Sequence, residues 1–336
     1  MARFAAVLTS KPIGLTNMQI YTNTDTLPVF RRAVITIGTF DGVHTGHQQI
    51  LRQLKQEADR IDGETVIITF HPHPRKVVKG DAAGIRLINT LREKIELLSW
   101  QNIDHLVIVP FTEAFSQLTA EQYVQQFLLD KFHPHTIIIG YDHQFGKGRS
   151  GNYQLLEDFS SMKDFQLQEI PVHLLNEISV SSTRIREAIG KADVDAANAL
   201  LGYDFFFTGR VVEGNKLGRV LGYPTANLEI EDPEKLIPGD GIYAVEVMEI
   251  PEQAQDNTSI TGPRLKGMMS IGVRPTIGVT PRVIEVNIFD FNGDLYGRQL
   301  RVFMKKYLRS EEKFPGLEEL KQQLAKDREN ALAALS

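Results

Sequence analysis

Through roughly the first two hundred residues, apolar runs alternate with helical patterns; after that, the helices all but disappear. The runs cover 34–37, 65–70, 105–109, 136–140 and 165–170, with helical spacing at 47–61, 90–100, 119–131 and 152–160 between them. Near-continuous Val/Ile runs separated by helices predict a parallel sheet covered on both faces. In such a doubly wound α/β domain, ligands bind beyond the carboxyl ends of the strands. From Phe205, short strand-like runs follow one another at 205–212, 241–248, 265–273, 283–290 and 299–305, punctuated by glycine and proline. That rhythm predicts an antiparallel barrel or sandwich, closed by a C-terminal helix over 316–334. The expected division is an extension 1–17, a first domain 18–187, an alanine-rich linker helix 188–203 capped by Gly202, and a second domain 204–336. Met18 offers a second start, and the polar stretch 251–264 predicts a surface loop.

Composition narrows the function classes. Of 336 residues, 42% are apolar and 24% charged, as in an ordinary soluble protein. Lys and Arg number 37 against 42 Asp and Glu, and a net charge of −5 argues against bulk nucleic-acid binding. The absence of cysteine excludes disulfides, thiolate catalysis and cysteine zinc sites, and points to a reducing cytoplasm. No apolar run approaches the length of a membrane helix. Residues 1–10 imitate a signal peptide, but their apolar part is too short.

The stretch Gly38-Thr-Phe40-Asp-Gly42-Val-His44-Thr-Gly46-His47 joins the 34–37 strand to the next helix. A helix N-terminus offers unpaired N–H groups and a partial positive charge to a phosphate. His44 and His47 add donors there, and Gly42 and Gly46 allow close approach of a nucleotide. His-x-Gly-His after a first strand resembles the signature of nucleotidyltransferases that attack the α-phosphate of ATP. Ser181-Ser182-Thr183-Arg184-Ile185-Arg186 leads hydroxyls into a second helix and follows them with a forked cation, the other half of a triphosphate clamp. His44, His71 and Asp142 each follow a predicted strand and fall on one rim. Gly146, Gly148 and Gly151 spell Gly-x-Gly-x-x-Gly but lie too far from a strand to be a dinucleotide fingerprint, and the loop is expected instead to contact a nucleotide base or phosphate. The His-Pro repeats at 71–74 and 133–135 are read as rigid turns rather than metal ligands, and Trp100 and Met162 as packing residues.

In the second half, Gly218-Arg219-Val-Leu-Gly222-Tyr-Pro-Thr225-Ala-Asn227 sets a hydroxyl and an amide oxygen, hard ligands suited to Mg²⁺ and phosphate, on one face of a strand. Gly239-Asp240-Gly241 can line a phosphate with backbone. In 283–290, Glu285 and Asn287 share one face, with Ile284, Val286 and Ile288 on the other. Glu285 is a carboxylate able to accept a hydroxyl proton.

These two motif sets, in this order, resemble the bifunctional bacterial riboflavin kinase/FMN adenylyltransferase (FAD synthetase) family over about residues 18–330. The resemblance rests on 38–47, 70–74, 140–151 and 181–186 in the first half, and on 218–228, 239–243, Glu285 and 294–297 in the second. It implies a Rossmann-like nucleotidyltransferase domain before a β-barrel kinase domain. Riboflavin would be phosphorylated to FMN, and FMN adenylylated to FAD with release of pyrophosphate. It implies ATP as co-substrate, Mg²⁺ held by Thr225 and Asn227, and Glu285 as base on the ribityl hydroxyl. His44 and His47 would stabilise the adenylyl transition state, with Arg186 also catalytic. Gly38, Phe40, Gly46, Ser181, Ser182, Thr183, Gly218, Arg219, Gly222, Asn227, Gly239 and Asp240 would contact ATP or its phosphates. Asp142 and Phe70 would contact the flavin. His71, Gln144 and Asn287 depart from frequent family choices. The implied partners are small molecules, with no nucleic acid and no membrane; weak self-association stays open. The alternative is a riboflavin kinase whose N-terminal domain binds nucleotide without catalysis. A flavin-sensing regulator and an adenylyltransferase for another substrate are further rivals.

Overall fold

The computed structural model describes residues 18–79, 84–140, 143–170, 180–214, 217–251, 262–273 and 282–336. Six strands form the first sheet: β1 (Gln19–Tyr21), β2 (Val34–Ile37), β3 (Thr65–His71), β4 (His105–Pro110), β5 (Thr136–Gly140) and β6 (Gln166–Ile170). Their order is β1-β4-β3-β2-β5-β6, and every pairing is parallel. The chain leaves β2 toward β3 on one side and later returns to β5 on the other. The strand order therefore reverses at β2, where α/β sheets open a ligand crevice. Val34, Val66, Ile67, Ile68, Ile137 and Ile138 are buried, because helices cover both faces.

On one face lie α1 (Thr45–Ile61) and α3 (Leu91–Ser99), with Leu51, Leu54, Ala58, Leu97 and Leu98 in the core. A short α2 (Pro74–Lys79) precedes α3. The other face is aromatic, with Phe127, Phe132, Tyr123 and Phe145 among its members. The expected helix over 119–131 is present with a π-helical middle, Tyr123–Leu129, between the short α-helical turns Ala120–Gln122 and Asp130–Phe132. The three-residue edge strand β1 and α2 were not expected; both are too short to carry a period.

The expected linker helix is two helices, Ser182–Gly190 and Val194–Leu201. Asp193 caps the second, and Gly202 ends it at φ 77° as anticipated. The second half is a closed antiparallel barrel of β7 (Phe206–Val212), β8 (Ala226–Glu229), β9 (Gly241–Ile250), β10 (Leu265–Val273), β11 (Arg282–Ile288) and β12 (Gln299–Arg309). They close in the order β10-β11-β8-β7-β12-β9. Phe207, Tyr243, Val245, Ile271, Ile284, Val286 and Val302 fill its interior, together with Ile185, Ile189, Leu200 and Leu201 of the two linker helices. The Leu317–Ala334 helix covers Ala244, Met268 and Phe289 outside.

Phe206, Met248, Ile250 and Phe303 join the core of the first domain, so the halves share buried surface. Two ion pairs are sealed into that seam. Arg301 donates to both Glu96 oxygens at 2.7 Å, and Lys235 to Glu93 at 2.6 Å. Trp100 is half-buried at the end of α3, partly packed on this core. Met162 does not pack: it is 70% exposed at the end of its helix, Tyr153–Met162, past the last turn that touches the sheet.

Candidate active sites

The first site is the turn from β2 into α1. Phe40 (φ 47°) and Val43 (φ 36°) stand in the left-handed region that bulky residues avoid. Each such position costs about 1–3 kcal/mol, so the surroundings must impose it. Asp41, 1% exposed, is the hub. Its Oδ1 accepts the N–H groups of Ile88 (3.0 Å) and Asn89 (3.3 Å), and its Oδ2 pairs with Arg186. Its carbonyl accepts the Ser182 hydroxyl at 2.9 Å. On either side, Lys94 of α3 donates to the Thr39 carbonyl (2.7 Å), and the Tyr203 hydroxyl to the Gly42 carbonyl (2.6 Å). The following turn of α1 is tied to the linker: Thr45 donates to the Leu200 carbonyl at 3.0 Å, and Gln48 to that of Leu201 at 3.0 Å.

His44 caps α1, its Nδ1 accepting the His47 N–H at 3.3 Å, which leaves its own proton on Nε2. The two imidazoles stack with centroids 3.7 Å apart, and Phe40 lies 5.0 Å from His47. Burial lowers the His44 pKa to about 4, with Arg186 acting the same way. His47 is lowered well below its usual value by burial first, then by His44 and Lys94. At neutral pH both are neutral donors. The His47 Nδ1 is buried and without a partner among the described residues, as an atom reserved for a ligand would be. Gly46 lies against the His44 ring, where a Cβ would come within 3.3 Å.

Ser182 and Arg186 thus meet the histidine turn although far from it in sequence. Ser181 is spent as a cap, accepting the Arg184 N–H at 3.3 Å, and Thr183 is exposed at the same helix start. Arg186 donates to the Arg86 carbonyl at 2.9 Å as well as to Asp41, so its fork reaches the site already oriented. Gly38 continues the β2 ladder by donating to Ile68 at 3.0 Å. The Phe40 ring is 1% exposed, which leaves its backbone for any phosphate contact. Phe70 is 8% exposed and engages Phe111 and Phe115; its position at the end of β3 is what speaks for a flavin contact. His71 is exposed, while His73 is buried and lowered to about 4 by that burial. Asp142 lies outside the described residues. The 145–151 loop closes on itself through a Phe145–Gly151 bridge, and a Cβ on Gly146 would lie 2.7 Å from Ala120. Gly146 and Gly151 therefore serve packing, whereas a Cβ on Gly148 would meet nothing within 4 Å.

The second site lies on the barrel's outer face. Ser270, Glu285 and Asn227 are register partners on β10, β11 and β8, so their side chains form one row. A cleft of about 370 Å³ is lined by Ser270, Gly272, Glu285, Glu311 and Lys313, among others. Ser270 donates to Glu311 at 3.2 Å. Asn227, 9% exposed, packs directly on Gly214, where any Cβ would fall 2.0 Å from its amide nitrogen. Thr225 is not on the strand as expected but one residue before it, exposed, its hydroxyl beside Gly218. Asn287 fixes that approach by donating to the Pro224 carbonyl at 2.7 Å. Gly222 turns the chain at φ 85°, donating to the carbonyl of the exposed Arg219 at 3.3 Å. Gly239 packs on the linker, donating to Ile189 at 3.0 Å, and Asp240 pairs with Arg282 at 2.6 Å. Both sit at the barrel end that carries Gly272.

Sequence reasoning passed over Asp41 as the hub, and Lys94, Tyr203 and Asn287 as supports. One signal was present. Glu93, Lys94 and Glu96 interleave with Ile95, Leu97 and Leu98, so α3 has no purely polar face and must bury charge.

A parallel sheet with a histidine-capped turn at its switch point, fused to a closed barrel with a carboxylate and an amide in register, has the layout of a two-site nucleotide-dependent transferase. The FAD synthetase family model matches residues 27–184, and the riboflavin kinase model residues 201–335. The bifunctional riboflavin kinase/FMN adenylyltransferase of Haemophilus influenzae is 36% identical over 305 residues, 91% of this chain and 95% of its own. That of Bacillus subtilis is 34% identical over 310 residues, 91% and 93% of the two chains. A crystal structure from Streptococcus pneumoniae, described as a macrolide-efflux protein, superposes with a TM-score of 0.80 at 30% identity, over 93% of this chain and 97% of that one. Among the described residues no helix is long and apolar enough to cross a membrane. The chain belongs to the bifunctional riboflavin kinase/FMN adenylyltransferase family.

Proposed function

We propose that the barrel phosphorylates riboflavin to FMN and that the α/β domain then joins FMN to the adenylyl group of ATP, giving FAD and pyrophosphate. The observation that carries this reading is the presence of two separate sites in one chain, each with the groups its half-reaction needs.

In the barrel, Glu285 faces the cleft beside Ser270 and takes the proton of the ribityl hydroxyl as that oxygen attacks the γ-phosphorus and the β–γ bridging bond breaks to release ADP. The Thr225 hydroxyl and Asn227 amide oxygen are hard donors, and Gly218 and Gly214 leave them room without a competing side chain. They would hold Mg²⁺, which when bound draws charge from the phosphates. Asn287 keeps Thr225 in place through Pro224.

In the α/β domain an FMN phosphate oxygen attacks the α-phosphorus of ATP, and the α–β bridging bond breaks to release pyrophosphate. No protein nucleophile is needed, so catalysis is positioning and charge stabilisation. His44 and His47 donate to the α-phosphate oxygens as neutral imidazoles. Arg186 and the start of the Ser182–Gly190 helix receive the departing pyrophosphate. The reading with a non-catalytic first domain loses ground because His44, His47, Ser182 and Arg186 converge on one turn. Incubation with riboflavin, ATP and Mg²⁺, with flavins separated over time, tests the proposal: FMN should rise first and FAD follow. FMN accumulation without FAD would restore the single-activity reading.

A further inference from the structure

Lys94 is a buried cation that, among the described residues, makes no direct ion pair with a carboxylate. It is 7% exposed, and among the described residues its ammonium bonds only the Thr39 carbonyl, at 2.7 Å. That carbonyl already has a neutral donor, the Thr69 hydroxyl at 3.2 Å. Hydrogen bonding alone therefore does not require a charge here, and burying one is costly. The neighbouring acids of α3 are committed elsewhere, Glu93 to Lys235 and Glu96 to Arg301. Asp41, whose charge does act on Lys94, is bound to Arg186 and two backbone amides. The charge stands under the β2–α1 turn, close enough to act on both His47 and His73.

We propose that Lys94 is a positioning residue for adenylyl transfer. Its ammonium pins the strained Gly38–Val43 turn through Thr39 and gives the site a fixed positive charge whose counter-ion is the ATP triphosphate. This rests on the adenylyl-transfer reading of the first domain. Burial lowers the Lys94 pKa to about 8, against the pull of Asp41. Among the described residues the groups facing it are Asp41 and His47 from the turn and α1, His73 after β3, and Arg186 through Asp41.

The test compares wild type with Lys94→Gln, which keeps a donor and loses the charge, and Lys94→Arg, which keeps the charge. FMN adenylylation and riboflavin phosphorylation are assayed separately across pH. In wild type, kcat/KM for ATP in adenylylation should fall as pH rises through about 8, while phosphorylation shows no such limb. Lys94→Gln should lose adenylylation by on the order of 10- to 100-fold and lack the limb. Its kinase activity should stay at the wild-type level, which also shows that the chain is folded. Lys94→Arg should recover part of the rate and show no limb. Wild-type adenylylation in Lys94→Gln, the same alkaline limb in Lys94→Gln, or an equal fall in both activities would overturn the proposal. Wild type that forms no FAD at all would instead remove the function reading on which it rests.

Discussion

The proposed function gives His44 and Glu285 different chemistries, and substitutions at the two sites should separate them. Glu285→Gln removes the proposed general base and should cost about 100- to 10,000-fold in riboflavin phosphorylation, while FMN-to-FAD conversion continues. His44→Ala with His47→Ala should do the reverse, since each lost donor to a transition-state oxygen costs about 2.7–4 kcal/mol. FMN should then accumulate, as read by flavin chromatography, and calorimetry should show ATP still binding. The same histidines tie stability to pH. His44 and His73 are held down to about 4 in the fold, against about 6.5 in an unfolded chain. Below that upper value the unfolded chain binds more protons, so stability is complete above it and drains away as pH falls toward the lower one. Each group accounts for about 3 kcal/mol at most. Urea midpoints should drop between neutral pH and pH ~5, and His73→Gln should make the drop shallower.

At the level of elements, α3 joins the two halves. Its Thr90–Glu93 capping box starts the helix, its Lys94 reaches the β2–α1 turn, and its Glu93 and Glu96 receive the barrel's Lys235 and Arg301. Arg301→Met leaves Glu96 buried without a partner, which costs about 3–5 kcal/mol. Adding Glu96→Leu should recover most of that loss. Trp100, the one tryptophan of the sequence, ends α3 and reports the transition by its fluorescence. If the double variant is no more stable than Arg301→Met, the pair is not the reason. The strands and long helices were legible in the sequence because β2 to β6 and α1 repeat a pattern over enough residues. The ion pairs were not, because Glu93–Lys235 and Glu96–Arg301 join residues 142 and 205 positions apart. Local periodicity carries no information about such partners. The site motifs at 38–47 and 181–186 were legible as separate signals, whereas their meeting at Asp41 required the fold.

For the molecule as a whole, the change of rhythm at Phe205 is where the barrel begins, yet its core does not stop there. Ile185, Ile189, Leu200 and Leu201 fill the barrel's end from upstream. A fragment starting at residue 180 should therefore be more soluble and melt higher than one starting at residue 204, and should phosphorylate riboflavin. Equal melting of the two would mean that the linker helices add nothing to the barrel. The closure of that barrel has a further consequence, for aggregation. Among the described residues, a strand ring with β10 joined to both β9 and β11 gives every strand a neighbour on each side and so leaves no free edge strand for a foreign chain. The parallel sheet ends in two edges, β6 and β1, of which β1 is only three residues long. Strand-to-strand association of partly folded chains is therefore a hazard of the first half, the half that leaves the ribosome before the barrel exists to cover its α3 side.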